Sequence, residues 1–165
     1  MDDTQTVVKV RIADLNIVKA PHLIRTSGLG SCVGVVLYDL SRKIAGLAHV
    51  MLPDSNLAKQ SNMNEFKYAN TAIDYLIKEL CTNGARKYAL QAKLAGGAQM
   101  FHFESPNDLM RIGPRNVQAI QEKLRQYEIP VAAMDVGGNS GRTIDFDPAT
   151  GNLKIRTVNK VELVI

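Results

Sequence analysis

The chain has 165 residues, 45% of them hydrophobic and 22% charged, with a formal net charge of +4. Those values describe an ordinary globular protein with material for one sizeable core, and a single domain over residues 1–165 is expected. Its Lys and Arg residues are scattered, and no recognisable nucleic-acid motif accompanies them, so no nucleic-acid partner is expected.

Cys32 and Cys81 are the only cysteines, too few for a disulfide framework. The opening Met1-Asp2-Asp3-Thr4-Gln5 is acidic and polar, unlike a secretory signal. No apolar stretch approaches the ~18 residues of a membrane span. A cytoplasmic protein with reduced thiols and no membrane insertion is the expectation.

In chain order, Val8-Lys9-Val10-Arg11-Ile12 alternates apolar and charged residues, as a half-buried strand does. His22-Leu23-Ile24-Arg25 reads as a short strand that leads into Thr26-Ser27-Gly28-Leu29-Gly30-Ser31-Cys32. The apolar, β-branched run Cys32–Tyr38 reads as a strand, Asp39–Arg42 as a turn and Lys43–Met51 as the returning strand. Leu52 to about Asn64 is a polar loop. Phe66, Ala69, Ile73, Leu76, Ile77 and Leu80 recur at helical spacing, and Thr82-Asn83-Gly84 supplies a stop.

Tyr88–Leu94 alternates as a strand and ends in Gly96-Gly97-Ala98. After a polar stretch around Pro106-Asn107-Asp108, a second helix starts near Gly113-Pro114, with Val117, Ile120, Leu124 and Tyr127 on its apolar face. Val131–Val136 is a buried strand. Thr143–Phe146 and Leu153–Val158 form a hairpin around Asp147-Pro148-Ala149-Thr150-Gly151, and Lys160–Ile165 adds a last strand. Strands dominate and several are joined as hairpins, so the class is α+β with mostly antiparallel or mixed sheet and two main helices.

Cys32 and His49 carry the chemistry. A thiol behind glycines and hydroxyls suits a nucleophile, because glycines let backbone N–H groups converge on one point. An imidazole nearby activates it. A short turn centred between Leu40 and Ser41 sets Cys32 directly opposite His49, with Cβ atoms roughly 4.5–5.5 Å apart on one face. Thr26 is the nearest group able to orient the imidazole; an ordinary turn threonine explains it equally well. Backbone N–H groups around Gly30, Ser31 and Cys32 suit an oxyanion hole, with Ser27 beside them. The loop is followed by a strand and lacks a Walker lysine, so it is no nucleotide-binding motif. His22 and His102 lack ligand-like neighbours, and no metal-spaced set is evident.

Thr26, Gly28-Leu29-Gly30-Ser31-Cys32 and Ala48-His49-Val50-Met51-Leu52-Pro53 resemble the CheD family of chemoreceptor glutamine deamidases. Lys93-Leu94-Ala95-Gly96-Gly97-Ala98-Gln99-Met100 and Asp135-Val136-Gly137-Gly138 with Gly141-Arg142 extend the likeness along nearly the whole chain; Ala95 stands where a larger residue, often Phe, is usual. The resemblance implies a layered α/β sandwich related to toxin deamidases. It implies Cys32, His49 and Thr26 as catalytic residues, and hydrolysis of glutamine amides on methyl-accepting chemotaxis receptors through a thioester. It also implies the CheC phosphatase as a second partner. Such a mechanism needs no metal or organic cofactor. Two alternatives stay open on sequence: a glutamyl methyl esterase or acyl-transfer enzyme using the same site, and a non-catalytic regulatory binding protein.

Overall fold

The computed structural model describes residues 4–55, 64–99 and 111–165. The strands are β1 (Val7–Val10), β2 (Leu15–Lys19), β3 (Leu23–Leu29), β4 (Val33–Asp39), β5 (Ile44–Val50), β6 (Gln91–Gly96), β7 (Val131–Val136), β8 (Arg142–Asp147), β9 (Asn152–Thr157) and β10 (Leu163–Val164). The helices are α1 (Ala69–Thr82) and α2 (Ile112–Gln126). The strands build two five-stranded sheets, one in the order β1-β3-β8-β9-β10 and the other β2-β5-β4-β6-β7. Both are mixed: β1–β3 and β6–β7 are parallel pairs, and the remaining pairings are antiparallel. The α+β expectation with two main helices holds among the described residues.

The molecule has three layers, with the second sheet in the middle. On one face Val33, Val35, Leu37, Ile44, Ala48 and Val50 meet both helices. On the other, Val36, Tyr38, Ala45 and Leu47 meet Ile24, Leu29, Ile144, Phe146, Leu153 and Ile155 of the first sheet. Covered on both sides, β4 and β5 are buried at every position, which is why they read as continuous apolar runs. α1 buries Ala69, Ala72, Ile73, Leu76, Ile77 and Leu80 at helical spacing. Among the described residues no helix is long and apolar enough to cross a membrane.

The β4–β5 hairpin corrects the expected register. Asp39 pairs with Ile44, so the turn is Leu40–Lys43, and Gly34, not Cys32, lies opposite His49. Lys43 takes a left-handed conformation, its N–H donating to the Leu40 carbonyl at 3.1 Å. Asp39 closes the hairpin through the Arg42 N–H and binds Arg86 through its backbone and guanidinium, each of those Arg86 contacts at 3.0 Å. That pairing holds the buried carboxyl down at about 2. The displacement is two residues, an even number, so the facing pattern survives. Gly34, Val36 and Tyr38 share the first-sheet side with Ala45, Leu47 and His49, and Cys32 packs in the same inter-sheet layer.

Three further differences matter. No strand is expected between Ile12 and His22, yet β2 pairs with β5 from Leu15↔Ala48 to Lys19↔Ile44. β3 continues past Arg25 to Leu29, through an irregularity in its pairing with β8 between Thr26 and Leu29. The segment from Tyr88 enters as a short 3₁₀ turn, and β6 starts only at Gln91. Most of the polar loop toward Asn64, and the stretch around Pro106, lie outside the described residues.

Glycines set the close approach of β6 to the cysteine loop. A Cβ on Gly96, whose φ is +115°, would sit 2.3 Å from the Cys32 carbonyl oxygen, whereas one on Gly28, φ +72°, meets nothing within 4 Å. Gly96→Ala is therefore expected to lower stability by about 2–4 kcal/mol, and Gly28→Ala by only about 1 kcal/mol, in urea unfolding. Equal losses would contradict the close-approach reading.

Candidate active site

The site begins where β1, β3 and β5 meet across the inter-sheet layer. Thr26 on β3 is 1% exposed, and its Oγ1 lies 2.7 Å from the Val10 carbonyl and 2.7 Å from His49 Nδ1. A hydroxyl has one proton to give, and a backbone carbonyl can only accept. The proton therefore goes to Val10, and the Thr26 oxygen accepts from His49 Nδ1–H. This fixes the imidazole as the Nδ1–H tautomer and leaves the lone pair on Nε2. Among the described residues Nε2 is buried with no hydrogen-bond partner.

Burial lowers the His49 pKa from 6.5 to about 4, so the ring is neutral at physiological pH. The sign for stability follows. Between pH 6.5 and about 4 the unfolded chain binds more protons at this residue than the folded one. His49 therefore supports the fold fully above pH 6.5, and that support is lost as the pH falls toward 4. The loss is on the order of 3 kcal/mol. Chemical denaturation from pH 7 to 4 is expected to show this acid loss, with a shallower slope for His49→Gln; identical slopes would refute it.

Cys32 lies just before β4, 8% exposed, one alternation along from Gly34. Gly34 occupies the position opposite His49, and a Cβ there would come 2.6 Å from the Ile144 Cδ1 methyl, which would have to turn aside. In strand geometry the residue two along from the directly opposed one is the diagonal neighbour, Cα atoms ~7–8 Å away. Thiol and imidazole thus share the layer, but no hydrogen bond joins them in the described arrangement. Burial pushes the thiol above its ordinary range, partly countered by the residue's own N–H. The resting site holds a neutral thiol and a neutral imidazole, not a thiolate–imidazolium pair. Iodoacetamide alkylation of Cys32 should accordingly keep rising with pH through 9.0. A plateau at neutral pH would show a preformed thiolate.

The loop before Cys32 is tethered through its carbonyls. Gly30 C=O accepts from Ala98 N–H at 2.8 Å, and Cys32 C=O from Gly97 N–H at 2.9 Å. Ser31 C=O accepts from Asn116 Nδ2 at 3.0 Å. The Gly30 N–H is used inside the turn, donating to Gly28 at 3.1 Å. Among the described residues, Ser31 and Cys32 N–H donate to no backbone carbonyl. Ser27 is exposed on the irregular end of β3.

The later glycine loop is drawn to the same place. Gly137 N–H donates to Gly96 C=O, and Arg142 bonds Asp135, Gly96 and Gly137 from a buried position. Sequence reasoning missed Asn116 and gave no role to Arg142, read only as part of the later glycine loop, or to Gly34. The signal for Asn116 was its place one turn before Ile120 on a face otherwise built of Gly113, Ile120 and Leu124.

His22 is occupied locally, its Nδ1 accepting from Thr6 N–H at 3.1 Å, and Cys81 is exposed. His102 is outside the described residues. Among the described residues no group of three or more His, Cys, Asp or Glu is placed to hold a metal ion.

A thiol, a neutral imidazole with its base nitrogen free and a hydroxyl that orients it define a candidate cysteine–histidine hydrolase site. Comparison with known proteins is consistent with that class and narrows it. Residues 51–157 match the family described as CheD chemotactic sensory transduction. A "Chemoreceptor glutamine deamidase CheD" of Halalkalibacterium halodurans is 61% identical over 156 residues, covering 94% of this chain and 96% of that protein. The protein of the same name from Bacillus subtilis is 57% identical over 166 residues, all of both chains. That of Bacillus licheniformis is 56% identical over 160 residues, covering 97% of this chain and 95% of the relative. The chain belongs to the CheD family. Among solved structures, the Bacillus licheniformis hypothetical protein YfiH aligns with a TM-score of 0.42 at 13% identity, over 71% of this chain and 47% of its own; a likeness so loose bears on nothing further.

Proposed function

We propose that this chain deamidates glutamine side chains of chemoreceptors, with Cys32 as nucleophile, His49 as general base and acid, and Thr26 as the group that orients His49. The observation that carries the chemistry is the Thr26 hydroxyl shared between Val10 and His49, which leaves Nε2 as an unpartnered base in the layer that holds the thiol. The substrate comes from the names of the relatives.

As the substrate amide enters, the Cys32 S–H proton passes to His49 Nε2, and the sulfur bonds to the glutamine Cδ. The carbonyl π pair moves to oxygen, where the Ser31 and Cys32 N–H groups are the available donors. Collapse of this intermediate breaks C–N, and the Nε2 proton leaves with the nitrogen as ammonia. A water then gives its proton to Nε2 and its hydroxide to the thioester carbon. Breaking C–S returns the sulfur, which takes the proton back from Nε2, and glutamate is released. Apo contacts of this kind tighten when substrate binds, so the absence of a resting Cys32–His49 hydrogen bond does not count against the pair. Binding to the CheC phosphatase belongs to the same proposal and rests on the family resemblance. A cytoplasmic location belongs to it too, supported by the chemoreceptor-modifying relatives, and among the described residues no helix is long and apolar enough to cross a membrane.

Purified wild type, Cys32→Ala and His49→Ala are incubated with a glutamine-bearing receptor cytoplasmic fragment, following peptide mass and released ammonia. Wild type alone is expected to convert the amide, the variants losing about 10³-fold or more. Thr26→Val is expected to lower kcat by about 10–100-fold, and Thr26→Ser to retain most of it. Conversion by Cys32→Ala at the wild-type rate would overturn the nucleophile. Methanol release without ammonia would move the assignment to an esterase, and receptor or CheC binding without conversion to a regulatory role.

A further inference from the structure

Asn116 is a fully buried side chain in the first turns of α2, and one nitrogen of it does two things. Its Nδ2 donates to the Ser31 carbonyl at 3.0 Å and to the Met51 carbonyl at 2.9 Å. Ser31 immediately precedes Cys32, and Met51 lies two residues beyond His49. The amide orientation is dictated by its surroundings, since a flipped side chain would set its oxygen against two carbonyls. Its Oδ1 is buried without a hydrogen-bond partner among the described residues. A buried polar atom left unpaired calls for an explanation, because an apolar residue of the same shape avoids it.

The helix reaches this position through contacts that leave no spare room. A Cβ on Gly97 would be 2.5 Å from Val117, and one on Gly113 would be 2.4 Å from the Ala98 carbonyl. The start of α2 is thereby seated on the end of β6, beside the cysteine loop.

In a trans peptide the carbonyl and the N–H point in opposite directions. Pinning the Ser31 carbonyl to Asn116 therefore turns the N–H of the same peptide, that of Cys32, away from the helix. We infer that Asn116 is a positioning residue for the deamidation: by holding the Ser31–Cys32 peptide it aims the Cys32 N–H at the carbonyl oxygen that becomes negative in the reaction. The inference rests on the reading of Cys32 as nucleophile. It assigns Asn116 its main role in the transition state; the lesser hold of the same N–H on the thiol makes any change in alkylation small beside the change in kcat.

Asn116→Leu keeps the approximate shape and removes both donors, and Asn116→Ala is the second variant should the leucine not fold. Each is compared with wild type and Cys32→Ala for kcat and KM on the receptor fragment, for Cys32 alkylation by iodoacetamide at one alkaline pH, and for thermal unfolding. For a cooperatively folding variant, kcat should fall about tenfold or more, while KM and the alkylation rate stay within about threefold. An unchanged kcat overturns the inference. So does a fall in kcat matched by an equal fall in alkylation, which marks a residue that only packs the loop. Undiminished conversion by Cys32→Ala would overturn the underlying nucleophile reading instead. An inert Cys32→Ala beside an unimpaired Asn116→Leu overturns the Asn116 assignment alone.

Discussion

Everything at this site depends on where the Thr26 hydroxyl proton goes. The Val10 carbonyl belongs to β1, Thr26 to β3 and His49 to β5 of the other sheet, so the bond that sets the tautomer also bridges the two sheets. A neutral imidazole pays little desolvation inside such a layer, whereas its charged form is strongly disfavoured there. Burial therefore keeps the base unprotonated and makes the fold sensitive to acid at the same residue. The same burial keeps the thiol protonated. The pair is suited to transferring a proton when substrate arrives, not to storing a thiolate.

The second element of the design is a loop held by its carbonyls. The carbonyls of Gly30, Ser31 and Cys32 accept from Ala98 N–H, Asn116 Nδ2 and Gly97 N–H. Those partners sit at the end of β6 and the start of α2, which meet only because Gly96, Gly97 and Gly113 carry no side chain. The middle sheet, covered by the helices on one face and by the first sheet on the other, fixes where that edge lies. The three-layer arrangement thus sets a pinned backbone at Cys32 and the imidazole of His49 in one inter-sheet layer.

Much of this was legible in the sequence, and the failures have physical causes. α2 and the β8–β9 hairpin fall close to where composition and turn chemistry place them; β7 has the expected bounds but is half-buried rather than buried, with Ala132 and Met134 exposed. Cys32 and His49 share a face as read, although their register is displaced: Lys43 adopts a left-handed conformation and Asp39 caps a turn of the same length set one residue later, which no pattern of apolar residues reveals. β2 escaped because Leu15–Lys19 is short and only partly buried, and its pairing with β5 is what makes it a strand. The parallel pairs β1–β3 and β6–β7 carry no local signature. Thr26 was ambiguous on sequence because its meaning comes from Val10, sixteen residues away, and His49, twenty-three away. Asn116 escaped because a polar residue on a helix is ordinarily exposed, and only the packed structure shows it bonded to two carbonyls.

The most direct test of the central claim is the tautomer itself, read from ¹⁵N chemical shifts and long-range proton couplings of His49 in the labelled protein. The structure requires a protonated Nδ1 and a bare Nε2 at neutral pH, with the ring remaining neutral until the pH approaches about 4. A protonated Nε2, or a ring titrating near its ordinary 6.5, would contradict the arrangement on which the nucleophile, the base and the orienting threonine all depend.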